Sequence, residues 1–194
     1  VFIPRSDTEV LVEQTLGICK TMAMKKETID ILDIGTGSGA IAVSLAHFLK
    51  KTQVPFTVTA LERSSRAVEL AQRNAERILK SESIHFVCGS VFDDGTLETL
   101  ANACDIIVSN PPYISDMEFG ELAEEVKNYE PHEALRAEDD GLAFYKHISN
   151  IAVKLFRKAE TGKVLLFETG YDQAEKVRNI MLENNFTDIE IVKD

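Results

Sequence analysis

The chain's 194 residues, 44% of them hydrophobic, suffice for one domain with a full core. A formal net charge of −11 argues against gripping naked nucleic acid by its phosphates, which takes clustered Lys and Arg, and suits a basic protein partner instead. No apolar stretch is long enough to span a membrane, and no signal peptide is visible.

In chain order, "IPRSDTEVLVEQTLGICKTM" reads as an extended entry followed by a helix, with Asp7 or Thr8 as its cap. Asp7 and Glu9 stand near the helix's positive end. "TIDILDIG" (28–35) is a short apolar run ending in glycine, and "GAIAVSLAHFLK" (39–50) follows with helical spacing. "FTVTALE" (56–62) is a strand, and "SRAVELAQRNAERILK" (65–80) is an amphipathic helix. The strand "SIHFVCGS" (83–90) leads through a short helical stretch to "CDIIVSN" (104–110). A helix from about 141 to 158, the strand "KVLLFE" (163–168), a helix over 172–184 and a strand "FTDIEIV" (186–192) complete the pattern. Strands alternating with helices predict an α/β fold, a doubly wound and mostly parallel sheet covered on both faces. Such sheets bind ligands beyond the carboxyl ends of their strands, at the point where strand order reverses.

The segment from Asp116 to Asp140 holds ten carboxylates against two bases, Lys127 and Arg136. It is either a solvated face or an acidic wall that attracts a cationic cofactor or a basic partner. Cys19, Cys88 and Cys104 show no metal spacing, which predicts reduced thiols, with Cys88 and Cys104 filling the core. His47, His85, His132 and His147 do not pair at ligand spacing, so no metal site is expected.

Two loops carry chemistry. In "DIGTGSGA" (33–40), Gly35, Gly37 and Ala40 match a dinucleotide fingerprint, with pyrophosphate on the helix N-terminus. Asp33, Gly35, Gly37 and Gly39 match instead the S-adenosylmethionine loop of class I methyltransferases. Gly39 and Asp33 favour the second reading, because a cofactor with an ammonium and a sulfonium but no phosphate welcomes a carboxylate, directly or through water. Glu62, at the end of the second strand, suits ribose hydroxyls in either kind of site, or simply caps the next helix. "SNPPYI" (109–114) leaves a buried strand through two prolines, which fix φ and carry no N–H. It is either a rigid exit or a preorganised site in which Asn110 and the Pro111 carbonyl face a substrate.

With these motifs in order, the chain resembles the HemK/PrmC family, the N5-glutamine methyltransferases of peptide chain release factors. The resemblance rests on "FIPRSDTEVLVE" (2–13), "ILDIGTGSGAIAVSLA" (31–46), "IIVSNPPYI" (106–114), "LAEEVKNYEPHEAL" (122–135), "DGLAFYKHI" (140–148) and "VLLFETGYDQAEKV" (164–177). It implies a Rossmann-like class I fold and methyl transfer from S-adenosylmethionine to the side-chain amide nitrogen of a glutamine, within a Gly-Gly-Gln motif of a release factor. Asp33, Gly35, Thr36, Gly37, Ser38, Gly39 and Glu62 are the implied cofactor residues. Ser90 stands where the family often has Asp, and Val91 lines the adenine pocket. Arg5 and Thr8 close the cofactor pocket, or Arg5 forms only a structural salt bridge. Asn110, Pro111, Pro112 and Tyr113 form the implied catalytic set, with Asn110 also at the cofactor.

The implied partner is a release factor, with no direct nucleic acid, no membrane and a monomeric chain. The compartment is the cytoplasm in a bacterium or the mitochondrion in a eukaryote. Residues 1–194 match a single catalytic domain, without the family's N-terminal helical partner-binding domain and its final antiparallel strand. The strand at 186–192 is then expected to dangle or to move inward against 163–168. The competing functions are an adenine-N6 methyltransferase, which shares "NPPY", a nicotinamide-dependent oxidoreductase, and a non-catalytic interaction module.

Overall fold

All six residues of β1 (Ile29–Ile34) are buried, as expected for a central parallel strand covered on both faces. A computed structural model describes residues 6–52, 55–80, 83–121, 135–158 and 162–193. Around β1 lie β2 (Phe56–Glu62), β3 (Ile84–Cys88), β4 (Ile106–Ser109) and β5 (Val164–Phe167). The sheet order is β3-β2-β1-β4-β5, and every pairing is parallel. Strand order reverses between β1 and β4, so the crevice at their carboxyl ends is the ligand position for this topology.

The strand period of two divides the core. Ile29 and Ile31 of β1 and Ile106 and Val108 of β4 face a cluster shared with Leu11, Leu45, Leu49 and Leu79. These belong to α1 (Ser6–Met22), α2 (Ala40–Thr52) and α3 (Ser65–Leu79). Leu32, Ile34 and Ile107 face the opposite cluster with Ile148, Leu155, Val177 and Ile180. These come from α6 (Ala143–Leu155) and α7 (Ala174–Glu183). Two short helices, α4 (Asp94–Thr99) and α5 (Asp116–Glu121), occupy the connections after β3 and β4.

Three expectations are corrected. Helix α1 already begins at Ser6, so Asp7 and Thr8 lie within its first turn and not at its cap. Cys88 is exposed, because it ends the outermost strand, whereas Cys19 and Cys104 are buried. Burial pushes their thiols up to about 11 and about 12. The run 186–192 forms no strand. β-Propensity alone does not make one, since a strand needs a ladder partner. The run is held instead by Phe186 and Ile189, which pack on the second cluster, and β5 pairs with β4 alone among the described residues. Arg5, His132 and most of "LAEEVKNYEPHEAL", with carboxylates 124, 125, 130 and 133, lie outside the described residues.

Candidate active site

The carboxyl ends of β1, β2, β3 and β4 open on one cleft of about 470 Å³. Gly35, Thr36, Gly37 and Ser38 form its floor after β1. Glu62 enters from the end of β2, Ser90 and Val91 from the loop after β3, and Asn110, Pro111, Pro112 and Tyr113 from the exit of β4. Thr8 of α1 reaches the same cleft. Residues spread over more than a hundred positions are thus assembled by the parallel sheet.

The glycine loop is pinned from below. The Gly35 and Thr36 N–H groups donate to the Leu61 carbonyl at 2.9 and 3.1 Å. The Asn74 side chain of α3 donates to the Ser38 carbonyl at 2.9 Å. Asp33 is fully buried, on the α2 side of the sheet. Its Oδ2 accepts from the Thr36 hydroxyl at 2.6 Å and from the Ala42 N–H at 3.2 Å, while Oδ1 has no hydrogen-bond partner among the described residues. Burial raises its carboxyl to about 7, against the lowering effect of those two bonds. Asp33 therefore sits behind the loop and does not line the cleft.

Gly39 does not line the cleft either. Its φ of +82° and a position where a Cβ would lie 3.0 Å from the Ala71 Cβ explain the glycine by the close approach of α3.

Glu62 combines both of its sequence readings. Its Oε1 accepts from the N–H of Ser64, the N-cap of α3, at 2.9 Å, and its Oε2 accepts from the Gly37 N–H at 3.0 Å. A carboxylate oxygen has room for a second bond, so both oxygens keep capacity toward the cleft. The consequence is electrostatic. A loop N–H that would face a pyrophosphate in a dinucleotide site is already bonded to a carboxylate. With the Glu62 carboxylate bonded to the loop, the floor suits a ligand that carries positive charge.

On the opposite wall, Asn110 Nδ2 donates to the Thr8 hydroxyl at 3.4 Å. Among the described residues nothing bonds its Oδ1, which is left as an acceptor. Ser109 Oγ donates to the Ile34 carbonyl at 2.7 Å and fastens β4 to β1 across the reversal point. The Tyr113 carbonyl accepts from Gln173 Nε2 at 2.9 Å. Gly141, with φ +81°, lies so close that a Cβ there would stand 2.1 Å from the Tyr113 carbonyl oxygen. This explains the glycine in "DGL".

The Ser90 hydroxyl accepts from the Phe92 N–H at 3.2 Å. The Phe92 ring stacks on His147, centroids 4.2 Å apart, and meets Phe144 edge to face. His147 Nε2 lies 2.9 Å from the Val91 carbonyl, which only a protonated Nε2 can satisfy. Phe92 and Phe144 both line the cleft. Neither carries a sequence signal of its own, although Phe144 lies within "DGLAFYKHI" (140–148). Leu135 was also missed. It reaches the cleft because the Ile114 N–H donates to its carbonyl at 2.9 Å, which holds Leu135 alongside the β4 exit. No group of His, Cys, Asp and Glu able to hold a metal ion occurs among the described residues. No described helix is long and apolar enough to cross a membrane.

The chain is 45% identical over 195 residues to a release factor glutamine methyltransferase of Fusobacterium nucleatum, an alignment covering 100% of this chain and 51% of that protein. It is 38% identical to a release factor glutamine methyltransferase of Chlorobaculum tepidum, covering 100% of this chain and 63% of that protein. The chain thus spans between half and two thirds of the length of these relatives. Its fold is similar to the SAM-dependent methyltransferase of Agrobacterium tumefaciens, with a TM-score of 0.61 at 14% identity over 93% of this chain and 50% of that one. Residues 14–129 match the model of the methyltransferase small domain, and the chain belongs to that family.

Proposed function

We propose that this chain transfers a methyl group from S-adenosylmethionine to the side-chain amide nitrogen of a glutamine in the Gly-Gly-Gln motif of a peptide chain release factor. The observation that carries the reading is the pairing of an electronegative glycine loop, bonded by Glu62, with an amide acceptor at Asn110 across the same cleft. The names of the two bacterial relatives support the choice of substrate.

The residues present fit the cofactor. The Glu62 oxygens are oriented by two backbone N–H groups and would accept from ribose hydroxyls. Val91, Phe92 and Phe144 offer apolar and aromatic surface for a purine, with the Ser90 hydroxyl beside them. Gly35, Thr36, Gly37 and Ser38 would carry the amino-acid portion, with Asp33 acting from behind the loop. Bound there, S-adenosylmethionine supplies an electrophilic methyl group.

The chain's own residues must then orient a poor nucleophile, since an amide nitrogen shares its lone pair with the carbonyl. Asn110 Oδ1 and the Pro111 carbonyl would each accept one N–H of the substrate amide. Two acceptors fix its rotation, which is the positioning contribution. They also favour positive charge growing on nitrogen. The prolines keep the acceptor pair rigid, because φ is fixed at both residues. The Tyr113 ring would cover the amide and exclude water. On this reading the partner is a release factor, the chain acts on it as a monomer, and the compartment is the one in which translation ends.

The test is mass spectrometry of a release factor after incubation with the protein and S-adenosylmethionine. A gain of one methyl on the Gly-Gly-Gln glutamine is expected. Methylation of an adenine-containing oligonucleotide in its place would overturn the reading, as would protection from unfolding by NAD and not by S-adenosylmethionine.

A further inference from the structure

Gln173 is 3% exposed, yet half of its amide is unsatisfied. Its Nε2 donates to the Tyr113 carbonyl at 2.9 Å and lies 3.5 Å from the Asp140 carbonyl. Its Oε1 is buried beside Gly170 with no hydrogen-bond partner among the described residues. The orientation is set by chemistry, since turning the amide over would aim Oε1 at two carbonyl oxygens. Leaving a buried acceptor unpaired is costly, and an apolar side chain of similar size would avoid that cost. Gln173 also holds the N-cap of α7 without using its side chain to cap that helix. A residue placed for stability would do one or the other. What this side chain does is join two loops: the β4 exit, through Tyr113, and the turn before α6, through Asp140.

Backbone N–H groups of Glu168 and Ala137 bond the Ser109 and Ile114 carbonyls on either side of the β4 exit, each at 3.0 Å, and the Gln173 side chain bonds the Tyr113 carbonyl between them. Gly141 leaves room for the Tyr113 carbonyl, and Gln173 supplies the donor that fixes it there. We propose that Gln173 is a positioning residue for the methyl-acceptor loop, fixing the Tyr113 carbonyl and through it the direction of the Asn110 and Pro111 acceptors. The proposal rests on the function given above, and its experiment separates the two.

Gln173→Met keeps the volume and removes the donor; Gln173→Glu keeps the shape and, when ionised, presents only acceptors. For each, kcat and KM for release factor methylation are measured per cofactor-binding site. Cofactor affinity, thermal stability and amide exchange at Tyr113 and Ile114 are measured alongside. The expected result for Gln173→Met is kcat down about tenfold, S-adenosylmethionine affinity within about twofold of wild type, a Tm changed by no more than about 4 °C because loss of the unpaired Oε1 offsets the orphaned Tyr113 carbonyl, and exchange at Tyr113 and Ile114 faster by about tenfold. Gln173→Glu should lose more in kcat than Gln173→Met.

Wild-type kcat and unchanged exchange in Gln173→Met would overturn the proposal, because a merely structural role moves Tm and not kcat per site. Should both variants fail to fold, the Gln173 side-chain NH₂ in the wild-type protein decides. Protection of its protons from solvent exchange supports the clamp, and exchange at the rate of a free amide removes it. The exchange measurements need no turnover. Inactivity of the wild-type chain on a release factor would therefore sink the proposed function while exchange still judged Gln173.

Discussion

Asn110 Nδ2 and the Thr8 hydroxyl, 102 positions apart in sequence, meet at 3.4 Å on the wall of the cleft. The amide nitrogen is turned to α1, and its oxygen has no hydrogen-bond partner among the described residues. Thr8 is buried, so few other partners compete for its hydroxyl. Asn110→Ala should lower methyl transfer on the order of a hundredfold, the usual cost of removing a preorganised polar contact. Cofactor affinity should stay largely intact. Thr8→Val should give a smaller loss, and Thr8→Ser should recover it. Turnover of a release factor by the three variants, with calorimetry of S-adenosylmethionine, checks this; full activity in Asn110→Ala removes the assigned role.

Glu62→Ala should act on binding instead. It removes a charged acceptor worth about 1.5–3 kcal/mol to a ligand hydroxyl, so cofactor affinity should fall by roughly tenfold or more. The Gly37 and Ser64 N–H groups also lose their partner, so stability should fall with it. Glu62→Gln should be only a partial repair, since an NH₂ group cannot accept from the backbone donor it would face. Calorimetry showing unchanged affinity for either variant would take Glu62 out of the site.

The alternation of strands and helices and the two loops were legible because they rest on local signals. The apolar runs of 28–35 and 104–110 have strand length, and glycine and proline mark where each ends. The reasons behind single residues were not legible, because they are tertiary. "DIGTGSGA" shows three glycines alike, but only the approach of Ala71 separates Gly39 from the two that line the cleft. Asp33 looks like a ligand residue until strand parity turns it toward α2. Leu135 reaches the cleft through a backbone bond to Ile114, which no spacing in the sequence announces. The run 186–192 failed for the opposite reason. Its composition is β-rich, but pairing is a property of two segments.

Asp33 makes stability depend on pH in a direction unusual for a carboxylate. Its folded-state pKa of about 7 lies above the ordinary value of 3.8. Between those values the folded chain keeps a proton that the unfolded chain has released. Stability should therefore fall as pH rises from about 4 to about 7 and level off above, with an upper bound of about 4 kcal/mol. Asp33→Asn keeps an acceptor for Thr36 and Ala42 and removes the titration. The variant should gain on wild type steadily over that window. Urea unfolding at pH 5 and pH 8 reads the difference; an equal gap between the two proteins at both pH values would show that Asp33 is not the titrating group.

Gly141→Ala tests whether the acceptor loop tolerates displacement. A methyl group there would stand 2.1 Å from the Tyr113 carbonyl oxygen and 2.6 Å from Gln173 Nε2. Neither neighbour can retreat cheaply, because one is backbone and the other is the donor holding it. The backbone conformation at φ +81° is itself unfavourable for alanine. Destabilisation of about 2–4 kcal/mol is expected from the overlap and the left-handed conformation together. The loop can relieve the overlap only by moving the Tyr113 carbonyl, which carries Asn110 and Pro111 with it. Methyl transfer per folded molecule should then fall at least tenfold, while the glycine loop and Glu62, on other strands, keep their hold on the cofactor. Thermal unfolding with and without S-adenosylmethionine, set beside turnover of a release factor, measures both effects. If Gly141→Ala matched the wild type in turnover per cofactor-binding site, the position of the Tyr113 carbonyl would not matter to the reaction.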